Sequence, residues 1–165
     1  MARTKSINFP NSEGELSTLF DKLQRSTTQL NLVSGALAIH GASSPLAKIA
    51  NAIYFTIDGP VYTAAAAALS ALSGTVANAA YNAFVFTVNA AGAFHTYMGT
   101  AGASLAAVVF PSAPDGEVVI GFVVIHATGS GAFVGGTTNL DDATVVPNAV
   151  YVNIVGDFFP QFSTL

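Results

Sequence analysis

Three histidines, His40, His95 and His126, are the side chains best suited to metal binding or to proton transfer near neutral pH. A helical zinc site of the H-E-x-x-H kind needs two histidines four residues apart, so that both imidazoles face the metal. None of the three has a second histidine or a carboxylate at that spacing, and the chain contains no cysteine. The spacing indicates ordinary surface or core histidines and predicts no metal site.

The pair Asp141 and Asp142 follows a Gly-Thr-Thr sequence and offers hard oxygen ligands of the kind that calcium prefers. The D-x-D-x-D-G spacing of a calcium loop is absent around the pair. Aspartate is also common in turns, because its side chain accepts hydrogen bonds from nearby backbone amides. The sequence therefore favours a turn at this pair over a calcium site.

Two glycine-rich segments resemble catalytic or phosphate-binding loops only superficially. Ser130 lies between two glycines, but Thr128 stands where the first glycine of a G-x-S-x-G nucleophile elbow is required. The pair Gly135 and Gly136 lacks the following lysine of a phosphate-binding loop. We predict that the chain is not an enzyme and that it has no catalytic residue and no cofactor.

The composition indicates a protein that buries its surface against other subunits. Of 165 residues, 52% are hydrophobic and 8% are charged, and the mean hydropathy is +0.55. The strongest apolar run, residues 118–127, is half the length of a membrane-spanning helix of about 20 residues, and suits a buried strand. We predict a homo-oligomer, most simply a trimer, that does not enter a membrane.

Charge divides the chain into a basic first part and an acidic second part. All five Lys and Arg residues and three acidic residues lie within residues 1–48, whereas residues 49–165 carry six acidic residues. We predict an N-terminal arm with a short helix in 1–48, and a β domain with an aromatic tail in 49–165. Five cations without a basic stripe predict no nucleic-acid binding. The first residues lack the apolar stretch of a secretory signal. We therefore predict that the newly synthesised protein is found in the cytoplasm.

A helix is predicted after Ser12, because Ser12 and Glu15 have the spacing of a capping box. One face of this helix carries leucines, and a heptad register extends them into a short coiled coil that forms an oligomer interface. The leucines of this predicted interface are Leu16, Leu19, Leu23 and Leu30. Poor helix formers after residue 26 favour instead two short strands around Gly35.

The remainder of the chain has the pattern of a small antiparallel β sandwich or barrel-like domain. Alternating residues 53–57, an Asp-Gly-Pro turn and residues 61–63 predict one hairpin, and residues 81–98 predict a second. Residues 117–126 are apolar at nearly every position and predict a central strand buried on both faces. The alanine-rich residues 64–72 fit either a short helix or a packed extended segment.

Three segments resemble the structural proteins of tailed-phage virions. They are the DG-containing hairpin of residues 55–64, the proline-bracketed turn and IG strand of residues 111–121, and the F-x-x-G-T-T-x-L-D loop of residues 133–141. The chain differs from the usual pattern in having no Lys or Arg after the first hairpin. The resemblance implies a capsid decoration (cement) protein on the virion, assembled in the host cytoplasm, with the major capsid protein as its partner.

The two ends of the chain supply the predicted contacts with the capsid. The arm offers two cations and two apolar side chains, and the tail offers aromatic rings; these residues are Arg3, Lys5, Ile7, Phe9, Phe158, Phe159 and Phe162. Two alternatives remain open. A long helix over residues 13–38 would favour a head-fibre or tail component. An exposed aromatic platform with adjacent carboxylates would favour a carbohydrate-binding adhesin module, whose candidate aromatic residues are Tyr54, Tyr62, Tyr81, Tyr97 and Tyr151.

Overall fold

The computed structural model describes residues 27–128 and 130–156. Within these residues the chain forms strands, a turn of 3-10 helix at Leu105–Ala107, and two helical residues, Thr27 and Thr28. The strands are β1 (Leu30–Asn31), β2 (Leu37–Ile39), β3 (Ala47–Ile49), β4 (Ile53–Thr56), β5 (Val61–Ala64), β6 (Ala67–Ala68), β7 (Thr75–Val76), β8 (Tyr81–Asn89), β9 (Phe94–Met98), β10 (Glu117–His126), β11 (Phe133–Val134) and β12 (Val150–Asn153).

The strands of this described part pair into four antiparallel sheets. The largest has the order β12-β10-β8-β9, and the smaller ones have the orders β1-β4-β5, β2-β3-β6 and β11-β7. All of these sheets are open, so they form no closed barrel. The predicted mainly β fold built from antiparallel strands is confirmed.

Strand β10 lies inside the largest sheet, as predicted from its apolar sequence. It pairs with β8 along its whole length and with β12 through residues 121–124. One face of this sheet, which we call the core face, packs into the hydrophobic core through alternate residues of β8 and β10, with the alternation on β10 shifted by one residue at a bulge between Val119 and Gly121. These residues are Phe84, Phe86, Val88, Val118, Ile120, Val123 and Ile125.

The opposite face of the largest sheet is partly covered by the loop that follows β9. Backbone bridges join Tyr81 to Gly102 and Thr100 to Val109, and the ring of Phe110 meets Phe122 edge to face at a centroid distance of 4.9 Å. Strand β8 is consequently buried on both faces between residues 82 and 88. Strand β10 keeps some exposure on this side, where Glu117, Phe122 and His126 are half-buried.

The small sheets lie across the core from the largest sheet. Leu37, Ile49, Ile53 and Phe55 join the same buried cluster as the core face of β8 and β10. Opposed sheets that share one apolar core define a sandwich-like arrangement.

The first predicted hairpin is confirmed. Thr56 pairs with Val61, and the amide of Ile57 donates to the carbonyl of Pro60 at 3.2 Å. Asp58 and Gly59, with φ of 53° and 107°, form the turn between Ile57 and Pro60. Two residues of positive φ suit the right-handed twist of paired strands, which explains the Asp-Gly sequence. The second predicted hairpin is confirmed by the pairing of β8 with β9.

The segment for which helix and strand were both considered contains the strands β1 and β2, so the strand interpretation is confirmed at Leu30–Asn31 and Leu37–Ile39. Thr27 and Thr28 are helical, but Leu30 pairs with Thr56 in β1 and Leu37 pairs with Ile49 in β2. A helical heptad register therefore does not continue through Leu30. The described β structure starts at residue 30; β1 pairs with β4, and β3, which spans residues 47–49, pairs with β2 on one side and β6 on the other.

The alanine-rich segment 64–72 is extended, not helical. Ala67 and Ala68 of β6 pair with β3, and the side chains of Leu69 and Leu72 are buried in the core. Small side chains allow this close approach of β6 to its neighbour.

Candidate functional site

The three histidines lie in separate places, and one of them belongs to a polar cluster. His40 is exposed, and the ring of His126 stacks on that of Tyr81 with a centroid distance of 3.9 Å. His95 Nδ1 lies 2.7 Å from Glu117 Oε1. The Tyr97 hydroxyl donates to the same oxygen at 3.1 Å, and the Thr87 hydroxyl donates to Glu117 Oε2.

This Glu117 cluster is positioned by the register of β8, β9 and β10. His95 faces Thr87 across the β8–β9 pair, and Glu117 enters from the start of β10 on the other side of β8. Burial raises the pKa of the Tyr97 hydroxyl, and its hydrogen bond to Glu117 and the charge of that carboxylate raise it further. The carboxylate of β10 thus holds three side chains from the two strands β8 and β9 in fixed orientations, and it leaves the 40% exposed side chain of His95 at the surface.

Sequence reasoning missed this cluster because its members are distant along the chain. His95 and Glu117 are 22 residues apart, and only the strand register brings them together. Two signals point to it in hindsight: His95 and Tyr97 alternate on one side of a strand, and Glu117 is the single charged residue of the apolar strand β10. Among the described residues no group of three or more His, Cys, Asp or Glu side chains is arranged to hold a metal ion.

Asp142 forms hydrogen bonds typical of a turn, whereas Asp141 binds a residue that is distant along the chain. Asp141 Oδ2 accepts from the amide of Ser43 at 2.8 Å. Asp142 Oδ1 accepts from the amide and hydroxyl of Thr144, at 2.8 and 2.7 Å, and from the amide of Val145 at 3.1 Å. This geometry supports the turn interpretation over calcium binding. Gly136, with φ of 73°, likewise occupies a turn conformation that favours glycine.

The Asp142 turn gives a prediction for stability in acid. Its hydrogen bonds with Thr144, followed by that with Val145, lower the pKa of Asp142 below its usual 3.8. A carboxylate with a lowered pKa in the folded state stabilises the fold above its usual pKa, and this contribution is lost as the pH falls through the lowered value. We expect Asp142→Ala to lower the melting temperature at pH 7, with a smaller difference from the parent chain at pH 2.

Melting curves of the parent chain, Asp142→Ala and Asp142→Asn at both pH values measure this effect. The asparagine variant keeps a side-chain oxygen acceptor, so it should lose less stability than the alanine variant at pH 7. An equal loss at pH 7 and pH 2 for Asp142→Ala would show that the ionised carboxylate is not the stabilising group.

The five tyrosines do not form one platform for a sugar. Tyr62 stacks on Phe55 on the inner side of the β4–β5 hairpin, and Tyr97 is bound to Glu117. Burial, with a further contribution from the charge of Asp141, raises the pKa of the Tyr151 hydroxyl to about 12. Tyr54 shares the β1-β4-β5 sheet with Tyr62 but lies on the opposite, outer side, where it is half-exposed. This scatter does not favour the adhesin alternative.

The largest continuous apolar feature that we identify on the described surface is the outer side of the β1-β4-β5 sheet. Asn31 and Phe55 face each other on the inner side and are fully buried, so alternation places Leu30, Leu32, Tyr54 and Thr56 on the outer side. The β5 register adds Val61 and Thr63. We call this set of six residues the outer face; it contains no charged residue.

The two ends of the described chain meet beside the outer face. The amide of Gly156 donates to the carbonyl of Asn31 at 2.7 Å, and the Asn31 amide donates back at 3.4 Å. The buried Asn31 side chain also donates from Nδ2 to the carbonyl of Ile154 at 2.6 Å. Residues 154–156 therefore extend the small sheet on the free side of β1, and alternation places Val155, 57% exposed, beside Leu32.

Most of the predicted contact residues lie outside the described residues. These are Arg3, Lys5, Ile7, Phe9, Leu16, Leu19, Leu23, Phe158, Phe159 and Phe162. Leu30 is described: it is half-buried in β1, on the outer face. None of the helical segments among the described residues has the length and apolar character required to cross a bilayer.

Comparisons with known proteins return no match: no protein-family model, curated protein or solved structure is similar to this chain.

Proposed function

We propose that this protein is a non-enzymatic virion structural protein, which self-associates and binds the outside of a phage capsid as a cement or decoration protein. The observation that carries the proposal is the outer face. Leu32, Tyr54 and Val61 are 43%, 50% and 63% exposed there, in a sheet with no charged residue on that side. Contiguous exposed apolar surface of this kind marks protein–protein contact sites.

The charge of the described body supports a role in assembly. Between residues 27 and 156, Lys48 is the one Lys or Arg residue, and five acidic residues accompany it: Asp58, Asp115, Glu117, Asp141 and Asp142. Charged side chains are depleted at the centres of protein interfaces because their desolvation is costly. A body with so few charges loses little free energy when it is covered by neighbouring subunits.

The position of the chain ends supports attachment to a single partner surface. The arm and the tail join the body at β1 and at Gly156, which are hydrogen-bonded to each other. The cationic arm and the aromatic tail therefore begin side by side. Two weak attachments that begin at one place act together, since binding of one raises the effective concentration of the other. The partner that we propose is the major capsid protein, as the resemblance to virion proteins suggests.

The head-fibre or tail alternative has less support. A long helix over residues 13–38 would favour it, but strands β1 and β2 lie at Leu30–Asn31 and Leu37–Ile39. A coiled-coil stalk limited to residues 13–26 would have two heptads, fewer than the three to four that identify a coiled coil.

Co-sedimentation with capsids stripped of this protein tests the proposal. We expect the full chain to form oligomers in native mass spectrometry and to sediment with the capsids. Deletion of residues 1–11 should keep the oligomer and weaken capsid binding, and salt should weaken binding of the full chain because it screens Arg3 and Lys5. The matched control deletes residues 157–165, which removes no cation and should leave the salt dependence unchanged. A monomeric chain that does not bind capsids would overturn the proposal.

A further inference from the structure

We infer that the outer face binds the leucine face of residues 13–25 from a second copy, so that neighbouring subunits exchange their N-terminal segments. The inference rests on the self-association in the proposed function and names the two surfaces that meet. On the outer face, side chains form two rows that run across the strands. One row contains Val155, Leu32 and Tyr54, and the next contains Leu30, Thr56 and Val61.

The dimensions of the two surfaces agree. Four adjacent strands, counting residues 154–156, span about 14 Å across the sheet at ~4.8 Å per step. Leu16 and Leu23 are seven residues apart, which is about 10 Å along a helix, and Leu19 lies between them on the same side. A helix laid across the strands would therefore place its three leucines on the apolar rows.

The chemistry of the two surfaces also agrees. Both are free of charged residues, while Asp21 and Lys22 fall between Leu19 and Leu23 in the sequence and Arg25 follows them. In a helix, these charged residues project away from the leucine stripe and keep their contact with water. Docking thus buries leucine against valine, leucine and tyrosine without burying a charge.

The connection to β1 favours a second copy over the same chain. Thr28 is helical and Leu30 already belongs to β1, so Gln29 alone separates them. A helix packs about 10 Å from a sheet, whereas one residue spans about 3.5 Å, and connections that return a helix onto its own sheet usually have two to six residues. Short connections of this kind promote exchange of an element between subunits.

Cross-linking in this cysteine-free chain tests the exchange. Leu19→Cys and Tyr54→Cys are placed on two separately tagged chains that are co-expressed and treated with a short bismaleimide. We expect a covalent dimer that contains both tags. The control replaces Tyr54→Cys with Ala91→Cys, an exposed position at the tip of the β8–β9 hairpin, which should give at least tenfold less product.

A chain that carries both cysteines separates the two arrangements. Linkage within one chain, without linked dimers, would show that the segment docks on its own subunit and would overturn the exchange. A yield with Tyr54→Cys no greater than with Ala91→Cys would also overturn it.

A charge on the outer face gives a second measurement. Tyr54→Asp should weaken self-association about 100-fold, since docking would then bury a carboxylate. Val134→Asp is the matched control: Val134 is 41% exposed in the separate β11–β7 sheet, and this variant should keep the parent oligomer. If Tyr54→Asp keeps the parent oligomer and no bismaleimide cross-link forms between Leu19→Cys and Tyr54→Cys, the exchange is contradicted. The proposed self-association is not contradicted by that result. A parent chain that is monomeric in native mass spectrometry contradicts both.

Discussion

Val123→Asp should abolish folding. Val123 is fully buried on the core face of β10, where its register partners are Phe84 on β8 and Tyr151 on β12. An unpaired carboxylate at this position costs several kcal/mol, and domains of this size have about 5–15 kcal/mol of stability in total. We expect loss of the cooperative thermal transition in circular dichroism and accumulation of insoluble protein.

Two other variants separate charge from loss of packing. Val123→Ala removes two methyl groups and should cost about 2 kcal/mol while the chain still folds. Val150→Asp puts the same charge at a 52% exposed position of the neighbouring strand β12 and should change stability by about 0.5 kcal/mol or less. A soluble Val123→Asp chain with the parent melting temperature would contradict the assignment of β10 to the centre of the core.

Gly121→Ala should loosen β12 and, with it, the junction between the chain ends. A Cβ atom at Gly121 would lie 2.5 Å from the carbonyl oxygen of Val152 and 3.1 Å from the side chain of Leu37. Since the closest atom belongs to the backbone of the paired strand, β12 must move away from β10. Overpacking of this kind costs about 1–3 kcal/mol, and the loss of strand pairing adds to it.

Hydrogen exchange locates this effect. The amides of β12, and the Leu37 amide that donates to Asn153 Oδ1 at 2.7 Å, should exchange at least tenfold faster in Gly121→Ala than in the parent chain. The matched control is Gly41→Ala, because a Cβ atom at Gly41 has no neighbour within 4 Å. Equal protection of β12 in both variants would show that the strand tolerates the added methyl group.

Local features of the sequence predicted the parts of the fold that depend on neighbouring residues. The Asp58-Gly59 turn was predictable because both residues tolerate the positive φ that a tight hairpin requires. Strand β10 was predictable because ten nearly continuous apolar residues suit a strand inside a sheet. The strand interpretation of Leu30 and Leu37 is also confirmed. Serine, threonine and glycine near these residues have low helix propensity, which favours the strands.

Contacts between distant residues could not be predicted in this way. The Asn31 side chain donates a hydrogen bond to the carbonyl of Ile154, which is 123 residues away. The sequence around either residue does not identify the other as its partner. The contact between His95 and Glu117 could not be predicted either, because these residues are also distant along the chain. The segment 64–72 was ambiguous because alanine accepts both helix and strand, and its partner β3 decides in favour of the strand.

The hydrogen-bonded junction between Asn31 and Gly156 has a consequence for engineering of this protein. A few residues of Gly-Ser linker suffice to join position 156 to position 30, because the two strands are already adjacent. The described body should therefore accept circular permutation, with new termini opened at the exposed Gly59–Pro60 turn. In such a permutant the arm and the tail can be attached at an end of choice. Two cargo proteins fused directly at positions 30 and 156 would instead lie next to each other on the body.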